Sequence, residues 1–228
     1  MAQVYEECYK IYRNLEQKLS SIINELERSQ IVEKKEKNIH KPCMIIGPSA
    51  VGKDTMIGML EEKYPDKIYK LPSYTTRPKR EKEKEGIDYF FVTHEEFNKM
   101  EKDGKLFGIQ EYNNNKYASN KSKLHEALKD KSKITIVNYN IETANAVKDE
   151  IEFNFIAILP PSEAELRNRL KSRKTKAEEI ENRMKNSIKE IQLINEANYI
   201  DFRLVNNDKE EAFKKLENHL KEIYPQLF

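Results

Sequence analysis

Nine consecutive residues constrain this chain more than anything else in it: Gly47-Pro48-Ser49-Ala50-Val51-Gly52-Lys53-Asp54-Thr55. They follow a short apolar run, Cys43-Met44-Ile45-Ile46, and lead into a segment with helical character over residues 56–64. Strand, glycine-bracketed loop and helix in that order make a phosphate cradle. Gly47 and Gly52 let the backbone wrap an anion with its N–H groups, and the helix N-terminus adds partial positive charge. Lys53 supplies a full charge to the β- and γ-phosphates of a nucleotide. One position departs from the usual pattern, in which a Ser or Thr hydroxyl follows the lysine and reaches Mg²⁺. Here Asp54 follows, with Thr55 next, so two readings stand: Asp54 holds the ion through water, or Thr55 takes the hydroxyl role.

The chain has 228 residues, enough for one domain with a substantial core plus an appendage. Its 41 basic and 39 acidic side chains nearly cancel, which gives no case for a nucleic-acid or membrane-surface protein. No apolar run approaches the ~20 residues needed to span a bilayer, and the first residues carry no apolar signal core. Two cysteines, Cys8 and Cys43, are too few for a disulfide framework. The expectation is a cytoplasmic, reduced setting with Cys43 as a small buried apolar residue.

Two regions divide the chain at about residue 40. In the first, Tyr5, Cys8, Tyr12, Leu15, Leu19, Ile22 and Leu26 recur at a 3-4 spacing, a heptad seam on one helix. Such a stripe needs a partner, either a second copy of the chain, giving a homodimer, or the body of the domain. A charged stretch, Glu33-Lys34-Lys35-Glu36-Lys37, then links to the body at residues 41–228. There, strand candidates at 43–46, 134–137, 153–159 and 202–205 alternate with helices at 56–64, 163–170, 178–194 and 210–223. Alternation of this kind predicts an α/β fold of three layers, a parallel sheet covered on both faces. Thr93-His94-Glu95-Glu96 reads as a capping box opening a further helix. Residues 72–119 are too long for a connection and read as an inserted acceptor-binding subdomain.

That insertion opens with Ser73-Tyr74-Thr75-Thr76-Arg77-Pro78-Lys79-Arg80 and continues through Glu83, Gly86, Asp88 and Tyr89 to Phe90-Phe91-Val92. Two arginines three apart can grip one phosphate from two sides, with a tyrosine hydroxyl adding a hydrogen bond. A solvated basic loop is the plain alternative. The phosphate loop, the Ser-x-Thr-Thr-Arg segment, Arg80, and the Gly86-x-Asp88-Tyr89-x-Phe91 run occur in order. Leu159-Pro160-Pro161-Ser162 and Val205-Asn206-Asn207-Asp208 follow. In these motifs the chain resembles the guanylate kinases, from about residue 41 to the C-terminus. The resemblance implies a P-loop NTPase core, an acceptor subdomain and a lid at about residues 169–183. It implies transfer of the ATP γ-phosphoryl group to GMP or dGMP with Mg²⁺. Carried over, Arg77, Arg80, Tyr89 and Tyr117 would bind the acceptor phosphate, and Ser73 and Ser119 would face its base. Arg169, Arg173 and Arg183 would bracket the transferring phosphoryl group, and Asn206 would lie near the donor adenine.

Three departures fall on this pattern. Gly108 stands where the family reads guanine with a glutamate. Asn138-Tyr139-Asn140 stands where the family has Asp-x-Asp, so Asn140 keeps a carbonyl acceptor but no charge. Asp54 is the third. Some of these positions resemble the ribose 1,5-bisphosphate kinases, which makes another phosphorylated acceptor the alternative. A non-catalytic binding module of the same fold is a further alternative, against which the intact Gly52 and Lys53 speak.

Overall fold

The computed structural model describes residues 18–19, 21, 41–81, 83–112, 114–172 and 177–228. The chain divides into two units, Met1–Ile39 and His40–Phe228. Lys18, Leu19 and Ser21 are helical; the rest of the heptad seam, and with it the pairing of two copies, lies outside the described residues. Among the described residues no helix is long and apolar enough to cross a membrane.

The body is built on a five-stranded parallel sheet in the order β2-β7-β1-β8-β9. Its strands are β1 (Cys43–Ile46), β2 (Ile68–Lys70), β7 (Ile134–Tyr139), β8 (Asn154–Leu159) and β9 (Phe202–Val205). β1 lies at the centre and is buried at every residue, as expected of a parallel strand covered on both faces. Alternate residues therefore feed two cores. Cys43 and Ile45 pack with Met56, Ile57 and Leu60 of α1 (Lys53–Lys63) and with Phe213, Leu216 and Leu220 of α7 (Lys209–Ile223). Met44 and Ile46 face the opposite layer. That layer holds Leu124 of α3 (Lys121–Ala127), Ile141, Ala144 and Val147 of α4 (Ile141–Val147), and Ile194 of α6 (Ala177–Glu196). The expected three layers are present, and Cys43 is fully buried, its thiol pushed up by that burial.

α4 escapes a pattern-based reading because it is short and partly β-branched. Its start is fixed from outside: Asn140 Oδ1 accepts from the Thr143 N–H at 2.9 Å as an N-cap. The capping box at Thr93 does form, Glu96 N–H to Thr93 Oγ1 at 3.1 Å and Thr93 N–H to Glu96 at 2.8 Å, opening α2 (His94–Lys102).

The insertion forms its own four-stranded sheet, β4-β3-β6-β5. Its strands are β3 (Ser73–Thr75), β4 (Tyr89–Phe91), β5 (Leu106–Tyr112) and β6 (Asn115–Asn120). Tyr74, Leu106 and Ala118 point to one face, against Phe97 and Met100 of α2. Pairing of Thr75 with Phe91 and with Tyr117, and of Ser73 with Tyr89, puts those side chains on the other face. Continuing the register sets Ser73 beside Ser119, with their oxygens 3.5 Å apart. One face packs on α2; on the other, Thr75 and Ser119 are buried and Ser73, Tyr89, Phe91 and Tyr117 are half-buried.

α1 and α7 are tied at their ends by Glu217. This carboxylate, 6% exposed, receives Lys63 at 2.9 Å, Lys221 at 2.8 Å and the Tyr64 hydroxyl. Burial disfavours its charge, but the hydrogen bonds from Lys221, Tyr64 and Lys63 outweigh that and hold it at about 2. A depressed carboxyl stabilises the fold above its unfolded value of about 4.3, and that contribution disappears as pH falls toward 2. Glu217→Gln should lower the unfolding free energy at pH 7 by about 2 kcal/mol and flatten its acid dependence. Urea titrations at pH 7 and pH 3 measure both.

Candidate active site

The loop after β1 sits at the carboxyl end of the central strand, where open α/β sheets place their ligands. Gly52 adopts φ 107°, and a Cβ there would come within 2.5 Å of the Asn206 amide nitrogen. Only glycine meets both demands. Asn206, just past β9, donates from Nδ2 to the Val51 carbonyl at 2.8 Å and so fixes the loop from beneath. Lys53, the first residue of α1, donates from Nζ to the carbonyls of Gly47 and Pro48, the latter at 3.1 Å. The ammonium is therefore held across the mouth of the loop. Asp54 is exposed and accepts from Asn138 Nδ2 at 2.8 Å, with Lys70 at 3.9 Å. Thr55 beside it is also exposed.

Mg²⁺ takes hard oxygen ligands and keeps several waters, so one or two side-chain oxygens plus phosphate oxygens suffice. Asp54 and Thr55 fit that demand. Among the described residues no group of three His, Cys, Asp or Glu is placed to hold an ion by itself.

On the open face of the subdomain sheet, Arg77 makes a two-pronged ion pair with Glu83 at 2.8 and 2.9 Å. Its guanidinium lies over the rings of Tyr89 at 5.2 Å and Phe91 at 5.7 Å. The hydrogen bonds from Arg77 hold the Glu83 carboxyl at about 2. Tyr117 lies against Tyr89, ring centroids 6.1 Å apart, and also contacts Arg77. Arg77, Tyr89 and Tyr117 thus come together as expected. Arg80 is exposed, its backbone N–H donating to Glu83 at 2.9 Å. The Tyr89 phenol is raised by burial and then by the charge of Asp54. The cluster therefore lies within electrostatic reach of the phosphate loop.

The segment expected as a lid, about residues 169–183, starts within α5 (Glu163–Ser172), which packs Leu166 and Leu170 against Ile180 and Met184 of α6, with Ala50 of the loop alongside. Arg169 reaches the loop directly: its guanidinium donates to Asn206 O at 2.9 Å and Val51 O at 3.4 Å, with Glu165 at 2.9 Å. Arg183 pairs with Glu179 one turn back. Arg173 lies outside the described residues.

The far end of the subdomain sheet face, beyond Ser119, holds the least expected feature. Tyr139, at the end of β7, is 4% exposed and donates to Ser119 Oγ at 2.6 Å. Burial pushes its phenol up to about 12. Gly108 lies where the β5–β6 register shifts, with φ 63°, and a Cβ there would come within 2.7 Å of the Tyr139 ring. Asn140 Oδ1 is committed inside the protein, accepting the Thr143 N–H and Gln110 Nε2 at 3.3 Å.

Glu83, Tyr139 and the largely buried Glu190 of α6 carry no signal of a role in the sequence beyond their spacing. Glu83 was legible as an acid six after Arg77. Glu190 lies seven residues after Arg183, two turns along one helix face. Tyr139 follows from strand alternation, which turns it to the side of Val137. Glu190 matters because it is largely buried, feels the charge of Lys53 and has Oε2 with no hydrogen-bond partner. Burial pushes its carboxyl up to about 7, with Lys53 pulling it down and Glu142 pushing it up.

A raised carboxyl favours the fold below its unfolded value of about 4.3 and costs stability as pH rises toward 7. Glu190→Gln should leave stability near pH 4 unchanged and raise it at pH 8 by roughly 1–3 kcal/mol. Urea denaturation of the ligand-free protein at the two pH values checks this.

Comparison with known proteins agrees with this geometry. The family model described as guanylate kinase matches residues 39–223. Guanylate kinase of Malacoplasma penetrans is 38% identical over 186 residues, 80% of this chain and 93% of that protein. Guanylate kinase 1 of Oryza sativa subsp. japonica is 35% identical over 79% of this chain, which spans only 47% of that longer relative. The crystal structure of guanylate kinase from Anaplasma phagocytophilum superposes with a TM-score of 0.60 at 26% identity, over 79% of this chain and 85% of that one. By its phosphate loop, its two-sheet fold and these matches, the chain belongs to the guanylate kinase family.

Proposed function

We propose that the chain transfers the γ-phosphoryl group of ATP to a nucleoside monophosphate, GMP or dGMP, giving ADP and the nucleoside diphosphate. The observation that carries this is the meeting of two phosphate-binding elements in one unit. The loop with Lys53 holds the donor, and the Arg77–Tyr89–Tyr117 cluster, within reach of Asp54, holds the acceptor.

In the transfer, an acceptor phosphate oxygen forms a bond to the γ-phosphorus and the bond to the β-phosphate bridging oxygen breaks, leaving ADP. The attacking oxygen is already anionic, so the task is positioning and charge neutralisation. Lys53 neutralises the β/γ side of the donor. Arg77 exchanges Glu83 for the acceptor phosphate, a substitution of one two-pronged oxyanion partner for another. Arg169 and Arg183 supply charge around the transferring group, a role the family resemblance also gives to Arg173. Asp54 and Thr55 would hold Mg²⁺, which when bound shields the donor phosphates. Closure of α5 and α6 over the loop would keep water from competing with the acceptor.

Lys53→Met should reduce kcat by at least about a thousandfold while leaving the melting temperature nearly unchanged. Arg77→Ala should raise the acceptor KM by more than about tenfold and leave the ATP KM unmoved. Steady-state kinetics with ATP and GMP varied in turn, alongside thermal unfolding, separates these outcomes. Full activity of Lys53→Met would contradict the assignment.

A further inference from the structure

The acceptor face has a defined length. Tyr117 and Ser119 lie on the same face of β6, two residues and about 7 Å apart. Beside them on β4 and β3 run Tyr89 and Ser73. An acceptor with its phosphate at Arg77, Tyr89 and Tyr117 would extend its remaining body toward Ser73 and Ser119. That inner end is already filled. The Tyr139 ring closes it, and the phenol hydroxyl bonds Ser119 at 2.6 Å. Gly108 is packed so close to the ring that position 108 of β5 can present no side chain here, and Gln110, the next residue but one, is turned to Asn140 and Thr143. Asn140, the other polar group of this end, has both carbonyl lone pairs used by Thr143 and Gln110.

A base edge seeking hydrogen bonds here would have to displace a tyrosine that is buried and bonded. We propose that Tyr139 is the acceptor-selecting residue of this chain: it occupies the inner end of the groove, so acceptors are chosen by their phosphate and the edge of a purine base is not read. The class of acceptor is then nucleoside monophosphates taken with little regard to the base. This rests on the phosphoryl-transfer reading above.

The test is kcat/KM of the full-length enzyme for GMP, IMP and AMP at saturating ATP. IMP differs from GMP only by the exocyclic amine. A site built to bond that amine rejects IMP by about 10⁴-fold. The expected result is that the three values agree within about tenfold. Tyr139→Phe keeps the ring and should keep the flat preference. Tyr139→Leu removes most of the ring and should lower the purine acceptor KM at least about fivefold with the ATP KM unmoved. A merely structural tyrosine would instead lower kcat and melting temperature and leave the acceptor KM where it was, and that result overturns the proposal. So does a wild-type preference for GMP over IMP beyond about tenfold, which leaves phosphoryl transfer intact. Absence of turnover on every nucleotide, with ATP still bound, overturns the phosphoryl-transfer reading itself and this proposal with it.

Discussion

The carbonyl of Val51 is where the structure is tied together. It accepts from Asn206 at the end of β9 and from Arg169 on α5. Gly52, next along, has no Cβ, and only for that reason can the Asn206 amide approach. The phosphate loop is thus not a free turn between β1 and α1. It is gripped by the strand two places over in the sheet and by α5. Arg169 bonds the Asn206 carbonyl as well, so sheet edge, loop and α5 share one set of hydrogen bonds. Any displacement of α5 would therefore break contacts to the loop itself.

Charge is handled in the same economical way. Arg77, Lys53 and Arg183 each have an acceptor within the protein: Glu83, the loop carbonyls and Glu179. Each of these is an oxygen that a phosphate oxygen can replace. On the proposed function the cations would thereby be held in place before substrate arrives, which would limit the ordering cost at binding. Glu190 is the exception: burial pushes its carboxyl up, and the charge of Lys53 only partly offsets that.

Much of this was legible in the sequence because the signals were local. The glycine-bracketed loop at residues 47–55 specified strand, turn and helix together, and the Thr93 capping box formed as written. The alternating strands and helices of residues 134–223 gave the layers. What was not legible depended on contacts between distant segments. β2 is a three-residue strand recognisable only from its pairing with β7. α4 exists through its Asn140 cap and its burial against the sheet. Asn140 read as a group that could meet a base, yet its oxygen is spent on Thr143 and Gln110, thirty residues away in the second case. The absence of a side chain at Gly108 was visible; that a tyrosine from another sheet stands in that space was not, because it takes the tertiary fold to bring β5 against β7.

The central claim is that donor loop and acceptor sheet act on one phosphoryl group. Phosphorus NMR of the protein with Mg-ATP and GMP follows that group directly. The expected result is loss of the γ signal of ATP with matching growth of the β signal of GDP, and no inorganic phosphate in proportion. Release of inorganic phosphate alone, or ATP that stays bound and unchanged with GMP present, would contradict it.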